Sequence, residues 1–156
     1  AYHDVGHAGL SPDGVRELVA FLSEHGTVYL SAEGDLPEDL APLELPTPPE
    51  SVHDVLYYAD LYVGDSGTMS TEAAVLGTPA VRTNSMVGPA DEPVFRHLEE
   101  EYGLLRSFAA EDRAIMEVKR LVTEGPDREE WHRRRDTLVA EHRNVTEQMV
   151  AVILEQ

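Results

Sequence analysis

The chain of 156 residues contains no cysteine and a single lysine, Lys119. Without cysteine it has no disulfide framework and no thiolate metal site. It also lacks an uninterrupted apolar run of about 18 residues, and no secretory leader pattern is visible. We therefore expect no insertion into a membrane and a cytoplasmic location.

Basic residues are scarce throughout. The chain has 30 acidic and 12 basic residues, a formal net charge of -18. No basic patch is available to neutralise phosphates, so nucleic-acid partners are not expected. The one basic run, residues 133–135, follows Glu129 and Glu130 by about one helical turn, which predicts ion pairs along a helix. This composition is typical of proteins from salt-loving archaea, and an ordinary acidic enzyme is the alternative.

The length predicts one domain spanning residues 1–156. The chain begins without methionine, and we interpret it as a fragment whose N-terminal partner domain is absent. Near its start, His3, Asp4 and His7 have a spacing that a metal ion can use. A polar loop explains these residues better, so no metal site and no cofactor is predicted.

Helical and strand patterns alternate along the chain. Ser11-Pro12 is an N-cap followed by proline at the first helical position, and Asp127 with Glu130 forms a second capping signature. Such alternation predicts an α/β fold, a three-layer Rossmann-like domain whose parallel sheet carries helices on both faces. The predicted strands are residues 27–31, 43–45, 61–63, 80–83 and 104–108, and the predicted helices include residues 36–43, 52–58, 91–102 and 111–124.

Residues 64–81 are the stretch around which the chain is organised. They predict a strand end, a tight turn, a short helix stopped by Gly77, and a second strand after Pro79. The first N–H groups of a helix have no internal partner, so residues 67–70 predict an anion site. Gly67 lets the backbone approach a phosphate, and the hydroxyls of Ser66 and Thr68 add donors.

Glu72 lies one turn into this helix. Its carboxylate can accept both hydroxyls of a ribose, or it can simply interact with the helix dipole, and spacing alone leaves both open. Other candidates lie where strands end, because ligand loops gather at that edge of an open α/β sheet. They are Arg82, Asn84 and Ser85 after the second strand, and Glu33, for which a solvated loop is the simpler interpretation.

The motif in residues 65–79 resembles the nucleotide-sugar motif in the C-terminal domain of the GT-B superfamily. The non-hydrolysing UDP-N-acetylglucosamine 2-epimerases have Asp-Ser-Gly-Gly-x-x-x-Glu-Ala followed by Leu-Gly-x-Pro. A largely archaeal family of GT-B-like proteins of unknown function is similar over nearly the whole chain, including residues 3–6, 57–60 and 64–69. Thr68 replaces the second glycine of the epimerase pattern, and residues 83–87 replace its Thr-Glu-Arg-Pro-Glu segment.

This resemblance implies a nucleotide-sugar-binding half of a glycosyltransferase- or epimerase-like protein, with a UDP-sugar as the expected ligand. By position, Ser66, Gly67 and Thr68 match diphosphate-binding residues and Glu72 matches the ribose-binding glutamate. His3 falls near a histidine that faces the interdomain cleft, so His3 and Asp4 are the catalytic candidates. The base is expected near residues 49–53, and the fragment alone is expected to be inactive.

Two other interpretations stay open. A non-catalytic regulatory or protein-interaction module can use the same fold. A dinucleotide-binding Rossmann domain is disfavoured because no G-x-G-x-x-G follows a first strand.

The net charge predicts a salt-dependent stability. Raising KCl from about 0.1 M to about 2 M shortens the screening length severalfold and relieves repulsion among the carboxylates. We expect the melting temperature, followed by circular dichroism, to rise by several degrees. Sucrose at matched osmolality, which does not screen charge, should raise it less, and a melting temperature that is independent of KCl would contradict the prediction.

Overall fold

Three parallel strands form the sheet of this computed structural model, which describes residues 9–32, 34–125, 127–142 and 144–154. The strands are β1 (Tyr62–Gly64), β2 (Ala80–Thr83) and β3 (Leu105–Phe108), arranged in the order β1-β2-β3. Tyr62 pairs with Ala80, and Ala80 pairs with Leu105. The predicted α/β fold with an open parallel sheet is confirmed, and β3 is an edge strand as expected.

Most helix boundaries agree with the sequence signals. Ser11 accepts a hydrogen bond from Gly14 N at 3.0 Å, and Asp127 accepts one from Glu130 N at 3.1 Å. Gly77 ends the central helix with a φ of 85°, a left-handed conformation that favours glycine. The helices are α1 (Pro12–Leu22), α2 (Val52–Tyr58), α3 (Gly67–Leu76), α4 (Pro93–Arg96), which continues as a π-helical turn (His97–Glu101), α5 (Glu111–Glu124), α6 (Arg128–Glu141) and α7 (Val145–Leu154).

The helices cover both faces of the sheet. Adjacent residues of a strand point to opposite faces, so Ala80 and Val81 of β2 enter two different apolar clusters. The Ala80 cluster includes side chains of α2, α3, α4 and α6, among them Trp131, the only tryptophan of the chain. The Val81 cluster is built mainly from α1 and α5. This arrangement confirms the predicted three layers.

The segment between α1 and α2 differs from the prediction. Residues 27–31 do not join the sheet, and the expected strand at 43–45 is reduced to a single parallel bridge between Leu30 and Glu44. The predicted helix over 36–43 is a 3-10 turn at Ala41–Leu43. Tyr29 is 56% exposed, so this segment has too little packing on one face to hold a regular strand.

Helix α7 lies outside both apolar clusters. None of its described residues is buried, and Ile153 and Leu154 are 66% and 78% exposed. The described part of the core is therefore complete without it. Among the described residues, no helix has the length and apolar character needed to cross a bilayer.

Glu111 ties the N-termini of α1 and α5 together. Its carboxylate accepts hydrogen bonds from Ser11 N at 2.7 Å and from Ser11 Oγ at 2.8 Å. We expect Glu111→Ala to lower the free energy of unfolding by about 1–3 kcal/mol, because two charge-assisted bonds are lost. Urea unfolding followed by Trp131 fluorescence measures this, with Asp112→Ala as the exposed neighbouring control. Equal losses in the two variants would argue against the tie.

Candidate functional site

Ser66 caps the start of α3 and accepts hydrogen bonds from two of the N–H groups of the predicted anion site. Its Oγ accepts a hydrogen bond from Met69 N at 3.3 Å, and its carbonyl accepts one from Ser70 N at 3.1 Å. The expectation that all four N–H groups of residues 67–70 are free is therefore wrong for two of them. The N–H groups of Gly67 and Thr68 precede the first helical hydrogen bond, and the Ser66 hydroxyl keeps its proton for donation.

Gly67 lies against the ring of Phe95. A Cβ atom placed on Gly67 would be 2.7 Å from Phe95 Cζ, closer than carbon atoms can approach. Glycine at this position is therefore explained by packing between α3 and α4, whether or not a phosphate also approaches. The sequence offers no local signal for this contact, because the pattern around Phe95 predicts only that it lies on the buried face of its own helix.

Thr68 and Glu72 share one face of α3, four residues apart. Thr68 is exposed, and the Glu72 side chain is 33% exposed. Glu72 Oε1 lies 3.4 Å from Nε2 of His53, which belongs to the first turn of α2. The predicted ribose-binding carboxylate is thus accessible and has a histidine beside it.

Arg82 is held inside the protein. Its guanidinium makes a bidentate pair with Asp91, at 2.7 and 3.0 Å, and lies 3.6 Å from the centroid of the Phe95 ring. The side chain of Arg82 is 4% exposed. In this arrangement Arg82 supports the turn through Phe95 and Gly67 rather than presenting its charge at the surface.

Asn84 connects the loop after β2 to the β1–α3 turn. Its Nδ2 donates to the Asp65 carbonyl at 3.5 Å, and its Oδ1 accepts from Met86 N at 2.9 Å. Ser85, next to it, is exposed. The structure therefore brings Asn84 to the same turn as Ser66 and Gly67, as the strand-end argument predicts.

The catalytic candidates His3 and Asp4, like Glu33, lie outside the described residues. The described chain starts at Gly9, which lies directly on the side chain of Asp65. A Cβ at Gly9 would be 2.1 Å from Asp65 Oδ2, so only glycine permits this approach. Within the described ranges, no group of three or more histidine, aspartate or glutamate side chains is placed to hold a metal ion.

A cavity of about 210 Å³ opens beside α2. Pro49 and Val52 line it, and Val52 precedes His53 in the first turn of α2. The cavity therefore coincides with the region where the base is expected. Its remaining lining is Leu30, Ser31, Ala32, Glu44, Leu45 and Thr47.

Tyr62 is a titratable residue that the sequence did not single out. Burial raises the pKa of its phenol to about 12, and the nearby carboxylates of Asp65 and Glu72 add to this rise, while a hydrogen bond with Ser70 opposes it. Tyr62 is therefore a neutral hydroxyl at physiological pH. In the sequence it reads only as a strand residue.

Comparisons with known proteins leave the family open. No protein-family model, no curated protein and no solved structure matches this chain. Beyond the α/β class that the structure defines, the GT-B resemblance depends on the motif residues themselves.

The Gly67–Phe95 contact predicts the outcome of a substitution. Gly67→Ala should lower the free energy of unfolding by about 1–3 kcal/mol, because the added methyl group overpacks the contact with the ring. In a double-mutant cycle measured by urea unfolding, Gly67→Ala should cost less free energy of unfolding when Phe95 is already replaced by leucine than it does in the wild type. Additive losses would show that the glycine is not required by the ring.

Proposed function

We propose that this domain binds the nucleoside diphosphate part of a nucleotide sugar, most simply a UDP-sugar, as the C-terminal half of a GT-B-like glycosyltransferase or epimerase. The observation that carries the proposal is a single accessible line along α3. It begins with the N–H groups of Gly67 and Thr68, which have no acceptor among the described residues, and continues to the carboxylate of Glu72.

The start of α3 supplies donors suited to phosphate. Two backbone N–H groups, the Ser66 hydroxyl and the Thr68 hydroxyl lie within the first turn. The helix dipole adds about 0.3–1 kcal/mol for an exposed anion. Because no lysine lies here and Arg82 is paired with Asp91, phosphate affinity has to come from amides and hydroxyls.

The spacing beyond the phosphates fits a nucleoside. Thr68 and Glu72 are separated by about 6 Å along the helix axis, roughly the step from a phosphate to a ribose. His53 of α2 adjoins Glu72, and the cavity lined by the preceding residue, Val52, can receive a base. We assign the start of α3 to the phosphates, Glu72 to the ribose and this cavity to the base.

Catalysis is proposed only for the longer protein. His3 and Asp4 stay the candidates for an acid or base at a cleft between two halves. The second half would supply the acceptor contacts, so this chain alone should bind nucleotide without turnover.

The exposed apolar residues of α7 favour a second candidate function, a non-catalytic interaction module on the same fold. In that case Glu72→Ala would leave the function of the full-length protein intact. Loss of function in that variant would support the nucleotide-binding proposal.

A thermal-shift experiment tests nucleotide binding. We expect one of UDP, GDP or dTDP, at millimolar concentration in high salt, to raise the melting temperature by several degrees, because a ligand at about 100 times its Kd adds about 2.7 kcal/mol. Glu72→Gln should reduce the affinity about tenfold or more, through loss of charge-assisted hydrogen bonds to the ribose.

Two controls define the result. Glu100→Gln, an exposed glutamate of the π-helical turn, should bind as the wild type does. Inorganic pyrophosphate should stabilise the protein less than the nucleotide. An unchanged melting temperature with all three nucleotides would exclude the proposal. An equal rise with pyrophosphate would show that α3 binds anions without recognising the nucleoside.

A further inference from the structure

His53 is the side chain that pairs with Glu72 among the described residues. Its Nε2 lies 3.4 Å from Glu72 Oε1, and no other histidine, lysine or arginine among the described residues forms an ion pair with that carboxylate. Glu72 Oε2 has no hydrogen-bond donor among the same residues. One side of the carboxylate is therefore occupied by the imidazole, and the other is open.

The backbone that carries His53 is fixed relative to α3. Three residues further along α2, Leu56 is buried in the core, and its carbonyl accepts a hydrogen bond from Thr78 Oγ1 at 2.6 Å. Thr78 directly follows Gly77, the residue that ends α3. Since α2 is anchored to the residue after α3, the backbone separation of His53 and Glu72 is set by the fold rather than by a flexible loop.

A glutamate side chain has three rotatable bonds and, when exposed, samples many conformations. An imidazole at Oε1 restricts that freedom before any ligand binds. Each carboxylate oxygen has two acceptor sites, so Glu72 can keep this contact and still accept hydrogen bonds from two hydroxyls. Holding a polar group in place before binding improves affinity without a new contact to the ligand.

We propose that His53 is a positioning residue that holds Glu72 for the vicinal hydroxyls of a ribose, and that it thereby makes the site select ribonucleotides over 2′-deoxyribonucleotides. The inference rests on the proposed function, because it assigns a specificity to that same site. The inference adds His53 to the site and names 2′-deoxyribonucleotides as ligands that the site disfavours.

The test compares paired ligands on the full chain. Titration calorimetry in high salt measures the Kd of UDP and GDP and of their 2′-deoxy counterparts for wild type, His53→Ala, His53→Gln and Glu72→Gln. For the nucleotide that binds, we expect the wild type to prefer the ribo form by about tenfold. His53→Ala should weaken the ribo form about three- to tenfold and the deoxy form less, so that the preference falls. His53→Gln, which keeps an N–H donor, should restore most of it.

His97 offers a matched control, because its Nδ1 lies 3.1 Å from Glu101 in a histidine–glutamate contact outside the site. His97→Ala should leave both affinities unchanged. If wild type binds nucleotide and His53→Ala keeps both affinities within twofold, the role of His53 is overturned and the proposed function stands. If wild type binds none of UDP, GDP, their deoxy forms and dTDP, both proposals are overturned together. Binding of dTDP alone, or equal binding of ribo and deoxy forms, overturns the role of His53 and leaves the proposed function standing.

Discussion

The buried pair of Arg82 and Asp91 is the interaction on which the candidate site depends. Both carboxylate oxygens of Asp91 accept from the guanidinium, which also lies 3.6 Å from the centroid of the Phe95 ring. The tip of that ring contacts Gly67 at the start of α3. Removing one partner of a buried ion pair typically costs about 3–5 kcal/mol, since the other charge is left without compensation. Here it would also loosen the loop after β2, the ring of Phe95 and the turn at the start of α3.

Local signals were enough to predict most of the fold. Ser11, Asp127 and Gly77 mark helix ends through bonds to residues a few positions away, and each marks the end that was predicted. The strand prediction is wrong where joining the sheet depends on neighbours that are distant in sequence. Residues 27–31 have the β-branched and aromatic composition of a strand, but Tyr29 stays exposed and only Leu30 forms a bridge. Strand propensity reflects packing, and the sequence does not state what packs there.

The site divides in the same way. Ser66 and Glu72 are predicted from local features, a helix cap and a carboxylate one turn into the helix. The contacts that hold them in place join residues far apart in sequence, such as Gly9 with Asp65 and Phe95 with Gly67. Such contacts leave no periodic pattern. The sequence predicts glycine at 67 from close approach to a phosphate, and the structure gives this glycine another explanation in the ring of Phe95.

The position of Trp131 allows a change in helix packing to be told apart from nucleotide binding itself, because fluorescence reports the first and binding heat the second. Trp131 lies on α6, four residues before Arg135, whose Nη1 donates to the Leu76 carbonyl at the far end of α3. The indole is buried in the Ala80 cluster, together with Ala73 and Ala74 of α3. Its fluorescence therefore reports the docking of α6 against α3. A change in this fluorescence on adding a nucleotide would mean that the packing of α6 against α3 responds to binding. An unchanged signal with measurable binding heat would mean that this packing does not respond.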